Sequence, residues 1–160
     1  MIDLKYYLYT ILLGIIPISE LRGAMPYAYF NHIPLFQAFL ISVLSNLLVI
    51  PIVWIFLGTI HKLFYKMNWY KSLFDRTVEK ARLKVGCKVS KYGYLGLMIF
   101  VGIPLPITGA WTGTLGAWIL GLDRKKTFIF VGLGILLSGL IVATLLGLGV
   151  GLNSILIKKF

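Results

Sequence analysis

Two long stretches of this sequence carry no charged residue: residues 33–60, which are 28 residues long, and residues 127–157, which are 31 residues long. A helix needs roughly 20 apolar residues to cross the hydrocarbon core of a bilayer, which is about 30 Å thick. Each stretch therefore predicts a transmembrane helix, tilted because it is longer than the core is thick. Pro51 lies inside the first stretch and cannot donate a helical hydrogen bond, so we expect a kink there.

The composition agrees with a membrane protein. Of the 160 residues, 59% are hydrophobic and only 13% are charged, whereas soluble domains have about 25% charged residues. This is too much apolar surface for a disordered chain, and more than a soluble globule of this length can hide from water. The sequence predicts an all-α integral membrane protein.

Two other apolar stretches are interrupted by segments rich in proline and glycine. The first stretch, residues 6–30, is broken around residues 19–26, and the second, residues 93–122, is broken at residues 102–109. Neither half of either stretch is long enough to span a bilayer alone. Paired interrupted segments at matching positions are typical of the binding sites of transporters.

The interrupted stretches give the chain an internal repeat in hydropathy. Residues 1–60 form the first repeat and residues 93–160 the second, each with a broken stretch followed by a long charge-free one. A basic segment, residues 61–92, joins them. We therefore interpret residues 1–160 as a single membrane domain.

Two topologies compete, and the charges favour one of them. If the broken stretches span, the basic clusters at residues 61–92 and 123–126 lie on opposite faces; if they are re-entrant hairpins, the clusters share a face. Segment 61–92 has nine Lys and Arg against two acids, and segment 123–126 has three against one, within a total net charge of +11. The positive-inside rule places both in the cytoplasm and predicts two re-entrant hairpins in inverted halves, with both termini outside. Lys158 and Lys159 argue weakly against this orientation.

Segment 61–92 alternates aromatic and basic residues. Apolar residues recur in it every three or four positions, at Phe74, Val78, Ala81 and Val85. This spacing predicts an amphipathic helix. It is either an interfacial helix on anionic lipid or a solvated connector that fixes orientation. Because the basic residues lie between apolar blocks, contact with lipid head groups explains them better than binding of nucleic acid.

Glu20 and Arg22 are the only ionisable residues within the apolar blocks, apart from terminal and loop charges. Placing either charged side chain inside the bilayer costs about 2.5 kcal/mol or more unless the side chain is paired or hydrated. Non-helical backbone persists at that depth only inside protein or beside water. Glu20 can carry a proton and the planar fork of Arg22 can hold an anion such as phosphate. The alternative is a structural salt bridge that anchors the hairpin.

The second break offers a complementary surface. Its prolines prevent helix, its threonines can cap the following half-helix, and its glycines permit close backbone approach. A half-helix N-terminus inside the membrane binds anions, so Glu20 and Arg22 would face it if the two breaks meet. Helix packing is the competing explanation for the glycines and for the tryptophan. The candidate binding residues of this break are Pro104, Pro106, Thr108, Gly109, Trp111, Thr112 and Gly113.

Other polar residues have simpler explanations. Ser45 and Asn46 lie in the middle of a charge-free stretch, where an interhelical hydrogen bond is the expected role. Two distant histidines and one cysteine match no metal-ligand spacing, so we expect no metal site. No nucleotide-binding loop and no nucleophile with a base is recognisable, so we expect neither a cofactor nor an enzyme.

Two motifs resemble the signatures of a known family. The run Pro17-Ile18-Ser19-Glu20-Leu21-Arg22-Gly23-Ala24-Met25-Pro26 resembles P-x-x-E-L-R-G-A-x-P. The run Phe100-Val101-Gly102-Ile103-Pro104-Leu105-Pro106-Ile107-Thr108-Gly109-Ala110-Trp111-Thr112-Gly113 resembles F-V-x-I-P-L-P-x-T-G-A-W-T-G. Both are signatures of the putative small multidrug export proteins, and the likeness extends over essentially the whole chain. It adds Pro26, from the first motif, to the candidate binding residues.

The resemblance implies a function. The family is remotely similar to the DedA superfamily, which is thought to have two facing re-entrant loops and to move polyprenyl-phosphate or phospholipid with protons or sodium. It implies a small, ion-coupled transporter or lipid flippase for an amphipathic or anionic substrate. We expect a homodimer in the plasma membrane, in contact with lipids and without nucleic acid. The alternative is a structural or interaction protein that organises lipids or a partner complex.

Overall fold

The computed structural model describes residues 3–60, 76, 79, 92–105 and 108–157, and all regular secondary structure in these residues is helical. The predicted connector, residues 61–92, lies outside the described residues except at positions 76, 79 and 92. The helices of the first half are α1 (Leu4–Ile15), α2 (Glu20–Phe30), α3 (Leu35–Leu47) and α4 (Val49–Ile55), which continues as a π-helical turn (Phe56–Ile60). Those of the second half are α5 (Tyr92–Gly102), α6 (Ala110–Ile119) and α7 (Arg124–Ile157).

The helix ends follow from the local sequence. Ile16 is extended because Pro17 follows it, and a residue before proline avoids the α conformation, so α1 ends there. Gly121 has a φ of 66°, and the N–H of Leu122 donates to the carbonyl of Ala117 at 2.9 Å, a glycine-type termination of α6. Asp123 then caps α7, because its Oδ1 accepts a hydrogen bond from the N–H of Lys126 at 2.9 Å.

Two helical segments are long and apolar enough to cross a membrane, as the charge-free stretches predict. They are Leu35–Thr59, with 25 residues, and Arg124–Gly149, with 26. The first is interrupted: α3 ends at Leu47, Leu48 is a turn, and α4 begins at Val49. Leu48 lies three residues before Pro51, where the kink was expected. The outward faces of these helices expose large hydrophobic side chains, which suits a lipid surrounding.

The chain reverses direction at the first break. The ring centroids of Tyr9 on α1 and Tyr27 on α2 lie 6.4 Å apart, although 18 residues separate them. The hydroxyl of Tyr7 donates to Oε1 of Gln37 at 2.9 Å. The start of α1 therefore lies beside the start of α3, and α1 and α2 form a helical hairpin with residues 16–19 at its tip. The predicted position of the first break, residues 19–26, is wrong: α2 begins at Glu20 and contains Pro26, so the non-helical break is residues 16–19.

The chain also reverses at the second break. A Cβ placed on Gly113 of α6 would lie 2.5 Å from Cγ2 of Val101 on α5. The hydroxyl of Tyr94, near the start of α5, accepts a hydrogen bond from the N–H of Asp123 at 3.0 Å. The residues that precede α5 and those that follow α6 are thus at the same end of a second helical hairpin.

The two long segments run antiparallel, with both breaks against the middle of α7. Gly139 of α7 lies against Phe39 of α3, and Gly132 lies against Leu47. The higher residue number on one helix thus pairs with the lower number on the other, which is the antiparallel arrangement. Leu21, the second residue of α2, also lies at Gly139. Gly102, at the second break, lies against the side chain of Leu137.

Candidate functional site

The carboxylate of Glu20 lies at the N-terminus of α6. Glu20 is 3% exposed. Its Oε2 accepts a hydrogen bond from the N–H of Ala110, and its Oε1 accepts one from the N–H of Trp111, both at 3.3 Å. The first N–H groups of a helix have no partner within it and carry a partial positive charge. The first residue of α2 therefore caps the first turn of α6, and the two breaks meet.

Gly109 makes this approach possible. A Cβ on Gly109 would lie 1.9 Å from Oε2 of Glu20 and 2.6 Å from its Cδ. The backbone of Gly109 is extended, with a φ of 161°, so the need for glycine comes from space and not from conformation. The carboxylate occupies the volume that any side chain at position 109 would fill.

Arg22 also joins the two breaks. Its Nη2 lies 3.4 Å from Oε2 of Glu20, which makes an ion pair within the first turn of α2. The same nitrogen donates a hydrogen bond to the carbonyl of Thr108 in the second break. The side chain of Arg22 is 22% exposed, whereas that of Glu20 is 4% exposed, so the guanidinium is the more accessible member of the pair.

A third contact comes from the indole of Trp111. Its Nε1 donates a hydrogen bond of 2.8 Å to the carbonyl of Ile15, in the last turn of α1. The last carbonyls of a helix have no donor within it. Trp111 therefore supplies a partner that α1 lacks, and it contacts the first hairpin through both its backbone and its side chain.

Glu20 has a strained backbone. Its φ is 49°, in the left-handed region, which costs a residue with a side chain about 1–2 kcal/mol. Such conformations persist where surrounding contacts hold them, and they concentrate at functional sites. Here Ala110, Trp111 and Arg22 hold the carboxylate of Glu20 in place.

A cavity of about 590 Å³ opens beside these contacts. Five of the predicted site residues line it, and they come from both breaks: Glu20, Arg22, Pro104, Thr108 and Thr112. Its remaining walls are residues that the sequence analysis did not select as binding residues: Pro17, Ile18, Ser19 and Gly23. These four flank Glu20 and Arg22 in the chain, and that proximity is the signal that could have identified them.

The other predicted site residues lie elsewhere. Gly109 and Trp111 contact Glu20 as described above. Gly113 packs against Val101, so its place in the structure is that of a helix contact. Pro26 lies inside α2 and does not line the cavity. Pro106 is outside the described residues.

The hydroxyl of Thr108 shapes the second break. Its Oγ1 lies 2.8 Å from the carbonyl oxygens of both Ile103 and Leu105, and it accepts a hydrogen bond of 3.3 Å from the N–H of Leu105. These bonds hold the non-helical turn that follows α5. Other polar side chains that line the cavity and can meet a ligand are those of Ser19, Arg22 and Thr112.

The arrangement suits an anion more than a metal ion. A carboxylate, a guanidinium and a helix N-terminus carry one negative charge, one positive charge and a further partial positive charge. Among the described residues, no group of three or more His, Cys, Asp or Glu side chains could hold a metal ion. Arg22 can therefore receive a negatively charged group from the cavity.

The comparisons with known proteins identify a family. The family model described as putative small multi-drug export protein matches residues 20–141. The match begins at Glu20 and includes every helix from α2 to α6, together with more than half of α7. No curated protein and no solved structure matches the chain.

Proposed function

The chain belongs to the putative small multi-drug export protein family, and on that premise we propose that it is a small, ion-coupled membrane transporter or lipid flippase. Its substrate is an amphipathic or anionic molecule, which binds in the cavity between the two breaks. The family description supports export across a membrane. The geometry of the site supports the choice of substrate class.

One observation carries this proposal: the only two ionisable residues within the apolar blocks meet the second break at one cavity. Glu20 binds the first turn of α6 and Arg22 binds the carbonyl of Thr108. A salt bridge that merely anchored the first hairpin would need no contact with the second. The cavity adds apolar walls, from Ile18 and Pro104, to a cationic group. An amphiphile with a phosphate or carboxylate group has an apolar part for these walls and an anionic group for Arg22.

Re-entrant placement of both hairpins in the bilayer is part of the proposal. The chain reverses at both breaks, and both breaks lie against the middle of the long segment 124–149. Arg124 lies over the ring of Trp54 at 5.8 Å, so the end of the first long segment and the start of the second share one face. That face carries residues 123–126, together with the described residues that flank the basic segment, Ile60 and Tyr92. The positive-inside rule makes it cytoplasmic.

The two charged residues have different roles in this proposal. Arg22, the more accessible, holds the anionic group of the substrate. Glu20 is the coupling group: a carboxylate accepts the N–H bonds of Ala110 and Trp111, and a protonated carboxyl accepts them more weakly. Proton binding would thus loosen the contact between the hairpins and allow one half to rock against the other.

The test is transport by the purified full-length protein in proteoliposomes. The probe is a fluorescent phosphatidylglycerol, and movement between leaflets is followed by quenching with and without a pH gradient. We expect Glu20→Gln to lose the pH dependence of transport. Glu79→Gln makes the same chemical change at an exposed position and should behave as wild type. Full pH-dependent transport by Glu20→Gln would refute the coupling role, and no movement of the probe by wild type would refute the proposed substrate class.

The remaining expectations also belong to the proposal. The protein acts as a transporter and not as an enzyme, in the plasma membrane as a multi-pass protein. Its partners are membrane lipids, the substrate and a coupling ion, with no nucleic acid. A homodimer is the expected assembly, because two long segments and two hairpins make a thin bundle.

A further inference from the structure

Two hydroxyl groups line the cavity without spending their hydrogen bonds on the protein. Ser19 lines it at the first break, and Thr112 lines it from the first turn of α6. Both residues are half-buried. Neither hydroxyl has a hydrogen-bond partner among the described residues. The cavity therefore has a free donor on each side, one from each hairpin.

The hydroxyl of Thr112 is free because its usual acceptor is taken. A threonine in a helix can donate its hydroxyl to the carbonyl four residues earlier. Thr144 of α7 does so, with the carbonyl of Leu140 at 2.7 Å. The corresponding carbonyl for Thr112 is that of Thr108, and it accepts a hydrogen bond from Arg22 instead. The contact between the hairpins thus releases this hydroxyl for another partner.

The hydroxyl of Ser19 is free although the residue precedes a helix. A serine at this position normally caps the helix with its side chain. Ser19 makes no such bond, and its own backbone is helical, with φ of −90° and ψ of −55°. Its Oγ lies over Gly23 instead, since a Cβ on Gly23 would be only 2.1 Å away. Gly23 also lines the cavity, so the missing side chain there makes room for the hydroxyl at the cavity wall.

The guanidinium of Arg22 is partly occupied. A guanidinium has two edges that can hold a carboxylate by two parallel bonds, and both edges include Nη2. The two N–H groups of Nη2 already serve the carbonyl of Thr108 and Oε2 of Glu20. Nη1 and Nε have no partner in the described part of the chain. What remains is a set of separate donors, which suits the spread oxygens of a tetrahedral group better than a planar carboxylate.

The formal charge of the site is balanced before a ligand binds. Glu20 and Arg22 carry opposite charges, and the other residues that line the cavity are neutral. A singly charged ligand would add one negative charge, which one proton on Glu20 would neutralise. A doubly charged ligand would leave one charge in excess, and an uncompensated charge is costly in an apolar surrounding.

We propose that Ser19 and Thr112 are specificity-determining residues, which together with Arg22 select a singly charged phosphodiester group. The inference rests on the proposed function for its amphipathic substrate and narrows the class of the anionic group. The cavity of about 590 Å³ has the size of a small-molecule site, so the donors on its wall can meet one head group. The apolar part of the ligand would lie against Ile18 and Pro104.

The test measures binding without transport. Full-length protein in neutral detergent and mildly alkaline buffer is unfolded thermally with dioctanoyl phosphatidylglycerol, dioctanoyl phosphatidic acid or decanoate, and neutral dioctanoylglycerol accounts for the chains. A ligand that binds only the folded state raises the unfolding temperature in a saturable manner. We expect phosphatidylglycerol to bind more tightly than decanoate. It should also bind more tightly than phosphatidic acid, whose phosphomonoester carries close to two charges in such a buffer.

Ser19→Ala and Thr112→Val each remove one hydroxyl without adding bulk. Each should weaken phosphatidylglycerol binding about tenfold, the effect of one hydrogen bond to a charged group, and leave decanoate binding unchanged. Thr112→Ser keeps the hydroxyl and should bind as wild type. Thr114→Val is the matched control on the same helix. Thr114 does not line the cavity, and its buried hydroxyl has no partner among the residues that the structure describes, so this variant should also bind as wild type.

Three results would overturn the inference: a shift no larger than that with dioctanoylglycerol, binding of decanoate or phosphatidic acid as tight as that of phosphatidylglycerol, or unchanged phosphatidylglycerol binding in both Ser19→Ala and Thr112→Val. Binding that depends on both hydroxyls, without movement of the probe in proteoliposomes, would support this inference and refute the proposed function. Movement of the probe by wild type, with binding that neither hydroxyl affects, would refute this inference and leave the proposed function in place.

Discussion

Gly109→Ala tests whether the contact between Glu20 and α6 holds the two hairpins together. The added methyl group would lie 1.9 Å from Oε2, 2.6 Å from Cδ and 2.8 Å from Oε1 of Glu20. No small adjustment accommodates it, because all three atoms of the carboxylate are too close. The backbone of position 109 is extended and accepts alanine without strain. The substitution therefore acts through the carboxylate alone.

The cost follows from the bonds that the carboxylate must give up. Displacing it breaks the hydrogen bonds from the N–H groups of Ala110 and Trp111. Hydrogen bonds to a charged group contribute about 1.5–3 kcal/mol each, and both are long here, at 3.3 Å. With the lower value for each, Gly109→Ala should reduce the free energy of unfolding by about 3 kcal/mol.

A double-mutant cycle with Glu20→Ala isolates this term. Unfolding free energies are measured for wild type, both single variants and the double variant in mixed micelles under increasing denaturing detergent. Without the carboxylate there is room for the methyl group, so Gly109→Ala should cost less than about 1 kcal/mol in that background. The resulting coupling of about 2 kcal/mol lies within the range found for residues in contact.

Gly113→Ala, one turn further along α6, is the matched control. Its methyl group would meet Val101 at 2.5 Å and does not involve Glu20. We expect a loss of about 1–3 kcal/mol from overpacking, equal in both backgrounds. If Gly109→Ala also cost the same with and without the carboxylate, the contact would not hold the hairpins together and the reasoning would be wrong.

Two further substitutions test other single contacts. Trp111→Phe removes the donor to the carbonyl of Ile15 and should lower the free energy of unfolding by about 1 kcal/mol; unchanged stability in the same detergent titration would contradict this. Asp123→Ala removes the cap at the N–H of Lys126 and should cost about 1 kcal/mol, measured by thermal unfolding. Asp123→Asn retains an acceptor and should recover most of that loss, and equal losses in the two variants would argue against a capping role.

The long segments and the breaks could be predicted from the sequence because local rules determine them. Absence of charge over residues 33–60 and 127–157 indicates a lipid surrounding for any helix formed there. Pro17 ends α1 and Pro104 follows the end of α5, each by a restriction on its immediate neighbour. The contact between Glu20 and the second break was also predictable, because an ionisable side chain within a membrane needs a partner.

The partner atoms were predictable only in part. The sequence predicts that Glu20 and Arg22 face the amides and hydroxyls at the half-helix N-terminus of the second break. Two backbone N–H groups do bind Glu20, whereas the Thr108 hydroxyl bonds its own loop. The role of each glycine also depends on packing. Gly109 makes room for the carboxylate of Glu20, and Gly113 makes room for the side chain of Val101 on α5. The interruption lies at Leu48, three residues before Pro51, so a kink in this segment was predictable but its position was not.

The same contacts that hold the hairpins together restrict any transport mechanism of this fold. Separating the hairpins breaks the two bonds to Glu20, the bond from Arg22 to Thr108 and the bond from Trp111 to Ile15. Each lost bond leaves an unpaired polar group, which is costly unless water from the adjoining cavity or another partner takes its place. Rocking of one half against the other therefore requires a substitute partner at the moment of separation. In the proposed mechanism, a proton on Glu20 weakens its two N–H bonds, and the anionic group of the substrate competes with Glu20 and Thr108 for Arg22. Proton and substrate would thus both weaken contacts between the hairpins, which is a physical basis for the proposed coupling.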